Sequence, residues 1–162
     1  MPRSALRLVT VTYRGFDGAA HAGRIVVNVR AAEDAVRVFR SLYAARYPIR
    51  RMVPIDAYAN DDDRSLAADN TSAFNCRRIA GASRWSMHAY GLAIDLDPLE
   101  NPYVSGSHVS PPAGRRFVSR PWLPGVIHRG DAVWRAFRAI GWSWGGDWQA
   151  PRDYQHFSSN GR

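Results

Sequence analysis

Two histidines and two aspartates in the second half of the chain carry the chemistry. They lie in Ser86-Met87-His88-Ala89-Tyr90-Gly91-Leu92-Ala93-Ile94-Asp95 and in Asp153-Tyr154-Gln155-His156-Phe157. Residues seven apart on one straight strand point to opposite faces, so His88 and Asp95 could not act together on an extended segment. Gly91 lies between them and permits a bend that folds His88 back beside Asp95. His156 then completes a set of two imidazoles and one carboxylate. Such a set suits zinc, and three protein ligands leave a fourth position for water or substrate, which is the catalytic arrangement. A site of this kind hydrolyses, and it needs a base for the water and a proton donor for the leaving group. Asp153, three residues before His156, is the candidate for both. Arg77 is the candidate cation for a developing oxyanion. Taken singly, each residue has an ordinary reading: a strand-face Asp is commonly a hydrogen-bond acceptor, and a lone His is commonly no ligand.

The elements that must position these groups follow from the patterning. Residues 6–13 alternate apolar and polar as a half-buried strand, GFDG reads as a turn, and residues 24–29 form a second strand, giving a hairpin. Ala35, Val38, Leu42 and Ala45 recur at helical spacing from Ala31 to Tyr47, with Glu33 and Asp34 in the first turn and Pro48 at the end. A short strand is expected over residues 52–58. The polar stretch NDDDRSLAADNTSAFNCR reads as a solvated loop, and DDDRS lacks the Gly and distal Glu of a calcium loop. Residues 92–97 alternate again, with Leu92, Ile94 and Leu96 toward the core and Ala93, Asp95 and Asp97 on the other face. Residues 101–129 form a long excursion rich in Pro, Gly and Ser. Asp131 caps a helix carrying Val133, Phe137 and Ile140 that stops near Gly141. Trp122 and Trp134 are assigned to packing, and His21, His108 and His128 to the surface or to loops. This order predicts an α+β domain with a small antiparallel sheet, residues 1–162 forming a single domain.

Composition sets the outer limits. The chain has 162 residues and a formal charge of +8, and all 22 basic residues are Arg. The positive balance suggests a polyanionic neighbour, but the Arg residues are scattered and no helix-turn-helix, zinc-finger or RNP signature occurs, so no nucleic-acid partner is expected. No apolar run approaches the ~20 residues of a membrane span. The N-terminus has no apolar signal-peptide region, which leaves another export route or a trimmed leader for an exported protein. The one cysteine, Cys76, cannot form an internal disulfide or a Cys-rich zinc site, and a packed small residue is its expected role.

The segment SMHAYGLAID resembles the S-x-H-x-x-G-x-A-x-D signature of the D-alanyl-D-alanine carboxypeptidase (VanY-like) and L-alanyl-D-glutamate endopeptidase family of zinc peptidases, and Asp153–His156 resembles its E/D-x-x-H motif. The resemblance implies zinc on His88, Asp95 and His156, a catalytic carboxylate at Asp153 where many relatives carry Glu, a substrate-binding Arg at Arg77, and a motif serine at Ser86. It also implies the Hedgehog/DD-peptidase-like α+β fold, with a small antiparallel sheet flanked by helices. The implied substrate is a peptidoglycan stem peptide, with Trp85 and Tyr154 lining the cleft alongside Trp144 and Trp148, whose alternative is the core. The implied location is the cell wall or the extracellular space, with a monomer as the default. Cleavage between L-Ala and D-Glu is the leading expectation, with removal of terminal D-Ala as the alternative. A zinc-binding cell-wall module without catalysis is the rival from another class.

Overall fold

The computed structural model describes every residue except Ala80 and Arg162. The chain opens with an antiparallel hairpin, β1 (Leu6–Arg14) and β2 (Ala20–Asn28), paired from Leu6 opposite Asn28 to Arg14 opposite Ala20. β2 thus starts four residues before its expected boundary, because the ladder runs on through the polar segment near the turn. The hairpin turns Val9, Val11, Ile25 and Val27 inward, against the buried stripe Ala35, Val38, Phe39 and Leu42 of α1 (Ala32–Ala44). α1 ends just before Arg46, whose φ of 58° takes the chain out of the helix ahead of Pro48.

Three expectations for the next segment are corrected. Only Arg51–Met52 (β3) is strand, and Ile55–Tyr58 is a 3-10 turn, since Pro54 starts a turn and does not continue a ladder. The polar stretch is not all loop. Asp61 accepts a hydrogen bond from the Arg64 amide and so caps a short helix, α2 (Asp62–Ala67). β4 (Asn70–Thr71) then pairs with β3 in parallel. Cys76 is exposed, not packed.

The second half is built on short strands. β5 (Ala93–Asp95) lies in a three-stranded antiparallel sheet with β8 (Ser143–Trp144) and β10 (His156–Ser158), in the order β5-β10-β8. Both faces of this sheet are covered, so the division into a core face and an outer acidic face does not hold. Ala93, Asp95 and Asp97 are as buried as Ile94 and Leu96. Residues 101–129 contain a further small hairpin, β6 (Tyr103–Ser105) and β7 (His108–Ser110), which β9 (Arg152–Asp153) joins through the pair Tyr103–Asp153. Between them, α3 (Ala132–Ala139) is capped by Asp131, as its sequence predicts, and packs Phe137 face to face on Phe157 at 3.9 Å. The described residues are therefore mixed α and β, with few helices and four small sheets, of which β3–β4 is parallel. Trp122 is 83% exposed and stacks on His128, so it is not a packing residue, whereas Trp144 belongs to the core.

Candidate metal centre

His88 sits in a 3-10 turn, Met87–Tyr90, whose first free amide is capped by Ser86 Oγ, the acceptor for the His88 N–H at 3.3 Å. The turn closes at Gly91, where φ is +64°. A Cβ there would lie 2.6 Å from the Asn28 backbone nitrogen, and the Asn28 amide donates to the Gly91 carbonyl at 2.9 Å. Glycine is thus required on two grounds, the left-handed backbone and the close approach of β2. The bend expected from the sequence is present and returns His88 to the end of β5.

Asp95 and His156 arrive as a cross-strand pair, opposite one another in β5 and β10. Nε2 of His88 is 3.1 Å from Asp95 Oδ2, His156 Nδ1 is 3.1 Å from Asp95 Oδ1, and the two ring nitrogens are 3.1 Å apart. All three side chains are buried, and together they form a group able to hold a metal ion. Ligand atoms about 2.0–2.2 Å from a tetrahedral zinc stand roughly 3.3–3.6 Å from one another. The observed triangle is only slightly tighter. The Nδ1–H of His88 donates to the Ala73 carbonyl at 2.6 Å, a bond that leaves the lone pair on Nε2, toward Asp95. Burial opposes ionisation of Asp95, but His88 and His156 outweigh it and hold the carboxyl well below the usual carboxylate range. The donor set therefore fits a divalent cation: two imidazoles, one of them oriented from behind, and a carboxylate that stays ionised.

Asp153 enters from β9, half-buried, with its Oδ1 making no hydrogen bond among the described residues. Burial pushes its carboxyl up to about 6, while His156 pulls the other way and Asp95 adds to the rise. Gly145 allows this placement, because a Cβ there would stand 2.6 Å from the Asp153 carbonyl oxygen and 2.9 Å from its Cβ. Arg77 is also part of this neighbourhood, since its charge lowers the Asp153 carboxyl. Arg77 Nε lies 3.0 Å from Asp62 Oδ2, and Asp62 Oδ1 accepts from Asn75 Nδ2 at 2.8 Å.

The cleft residues divide. Trp85, 46% exposed, lines a cleft of about 350 Å³ with Ile79, Arg84, Met87, Tyr90 and Asn160. Tyr154 is half-buried; its carbonyl accepts from Trp144 Nε1, and the Arg120 guanidinium lies 4.2 Å above its ring. It packs against the core and is not among the residues that line that cleft. Trp148 stands 5.6 Å from the His156 ring. The sequence reading missed Ala73, Asn75, Asp62 and Gly145. Only Gly145 left a signal, in the paired glycines of WGGD; the others act through a carbonyl or through a contact between distant segments.

Residues 80–159 match the model of a family described as D-alanyl-D-alanine carboxypeptidase. No curated protein and no solved structure matches the chain.

Proposed function

Because the chain belongs, through residues 80–159, to the D-alanyl-D-alanine carboxypeptidase family of metallopeptidases, we propose that it is a zinc-dependent peptidase of peptidoglycan stem peptides, working as a single-domain monomer in the cell wall or outside the cell. The observation that carries the reading is the convergence of His88 Nε2, His156 Nδ1 and the Asp95 carboxylate within one buried triangle. Zinc held there would polarise the scissile carbonyl and acidify the attacking water. The chain supplies the rest. Asp153, ionised above about pH 6, takes the proton from the water and returns it to the leaving amine. Arg77 receives a carboxylate of the substrate or the developing oxyanion. Ser86 holds the turn that carries His88.

Stem peptides contain free carboxylates, which suits an Arg-bearing cleft in a chain of charge +8. Cleavage between L-Ala and D-Glu is the favoured reaction. It needs room for peptide on both sides of the scissile bond, and the cleft lined by Trp85, Met87 and Tyr90, residues on either side of His88 in sequence, is our candidate for part of that room. Removal of a terminal D-Ala is the second reading, favoured by the description of the matched family. Mass spectrometry of stem peptides after incubation with zinc-loaded protein, against a chelated control, separates the two. A new D-Glu amino terminus marks the endopeptidase and loss of one D-Ala the carboxypeptidase. Unchanged peptides in the presence of bound zinc would overturn both.

A further inference from the structure

Arg77 stands where the chain could easily leave it loose. It is half-buried, follows the exposed Cys76, and its long side chain has many rotamers to lose when it orders. Its backbone is tied to the site: the Arg77 amide donates to the Asn75 carbonyl at 2.9 Å, and the Ser86 amide donates to the Arg77 carbonyl at 3.1 Å. The side chain is met by a different element through an ion pair, in which Nε makes no aligned hydrogen bond among the described residues. Asp62, the first residue of α2, sits with Oδ2 3.0 Å from Arg77 Nε, while its Oδ1 takes the Asn75 amide group at 2.8 Å. Asn75 is itself buried, and its backbone N–H donates to the His88 carbonyl at 3.1 Å. One chain of contacts therefore runs from the His88 turn through Asn75 and Asp62 to the Arg77 guanidinium.

We propose that Asp62 is a positioning residue: it engages Arg77 on the Nε side and so turns the two terminal nitrogens toward a carboxylate of the substrate. The inference rests on the peptidase reading above and on Arg77 as the cation that meets substrate. A guanidinium is a planar fork whose Nη pair can receive a carboxylate through two parallel hydrogen bonds. Fixing the Nε edge beforehand removes part of the ordering cost of that contact. Asp62 also accepts from Asn75, which ties this carboxylate to the segment that carries Arg77. Asp61 caps α2, and Asp63, one residue on, is exposed.

The test uses the zinc-loaded full chain and two peptides, a stem peptide with free carboxylates and the same peptide amidated. In wild type the free carboxylates lower KM. Asp62→Asn raises KM for the free peptide on the order of 10-fold, keeps kcat within about twofold, and leaves the amidated peptide unchanged, so the preference collapses. Asp62→Glu restores part of it, and Asp63→Asn, which loses the same charge, has no effect. An undiminished preference in Asp62→Asn overturns the proposal, as does an equal loss on both peptides accompanied by a fall in Tm. Calorimetric binding of both peptides keeps the two readings apart. If wild type hydrolyses neither peptide, the peptidase reading fails. A carboxylate-dependent affinity that disappears in Asp62→Asn would then still uphold Asp62, and an affinity indifferent to the carboxylates would refute it.

Discussion

Asp153 and His88 both face the same buried centre, yet removing them has different consequences. His88 is held by the Ala73 carbonyl behind it and by Asp95 in front. His88→Ala leaves a buried carboxylate and His156 with one partner fewer, so metal content and Tm fall together; metal stoichiometry measured by plasma mass spectrometry and unchanged from wild type would refute His88 as a ligand. Asp153 has a buried oxygen with no hydrogen bond among the described residues and no place in the three-atom triangle. Asp153→Asn keeps the shape and the metal while abolishing the proton acceptor, and kcat falls about 10²–10⁴-fold. The pH profile carries the same signature. The carboxyl is raised to about 6 by burial, so the base form is lost as pH falls through that value. Wild-type activity drops on the acid side of about pH 6, or somewhat lower with a cation bound nearby, and the residual activity of Asp153→Asn lacks that limb. Turnover near wild type in Asp153→Asn would remove it from the mechanism.

Two glycines divide the labour of positioning at the level of elements. Gly91 makes the return of the 3-10 turn to β5 possible, with positive φ and backbone at 2.6 Å from any added Cβ. Gly145 makes room for β9 at Asp153. Gly91→Ala therefore strains the element that carries a ligand, at a cost of about 1–3 kcal/mol, and lowers both Tm and metal affinity. Gly145→Ala displaces Asp153 and lowers kcat while metal affinity stays near wild type. Titration of the apo proteins with zinc, alongside kinetics, checks both; equal metal loss in the two variants would show that the elements are not separable. This division was half legible in the sequence. Gly91 could be inferred because His88 and Asp95 have the wrong parity for one strand, and the amphipathic α1, the β1–β2 hairpin and the Asp131 cap follow from local periodicity. Local patterning failed where pairing is non-local. The two-residue strands β3 and β4 have no period of their own, and β5 is buried on both faces, with His88 packed against Asp95 on the side that alternation assigned to water. Asp62 lay inside an acidic run that composition alone assigns to solvent, and only its contact with Arg77 and Asn75 distinguishes it from Asp63.

Across the whole molecule, a chain of formal charge +8 buries a set of acidic groups on the flank of its metal centre. Asp69, Asp97 and Glu100 are each under 5% exposed, and each leaves one carboxyl oxygen without a hydrogen bond among the described residues. The other oxygens of Asp69 and Asp97 knit the fold: the Leu99 amide donates to Asp69 at 2.8 Å and the Arg50 amide to Asp97 at 2.8 Å. Burial, followed by the charge of Asp69, pushes the Glu100 carboxyl up from 4.5 to about 8. A carboxyl raised in the folded state favours the protonated form there, so the unfolded chain releases its proton first as pH rises. The stability Glu100 contributes is complete below about pH 4.5, declines as pH climbs from that value, and is gone above about 8. Replacing it by an amide fixes the neutral form. Glu100→Gln accordingly has a Tm that varies less than wild type between pH 5 and 8 and exceeds wild type most at the alkaline end. Calorimetric scans of the metal-free proteins across that range decide the matter, since metal-free samples remove zinc binding from the pH dependence. Parallel Tm curves for the two proteins would mean that Glu100 titrates as an ordinary surface carboxylate. Asp153 must be ionised for the proposed reaction, so activity is favoured on the alkaline side of about pH 6, where this acidic flank weakens the fold. A bound cation that stabilises the folded state by mass action would offset that loss, and zinc-loaded wild type then shows a flatter Tm profile from pH 6 to 8 than the metal-free protein.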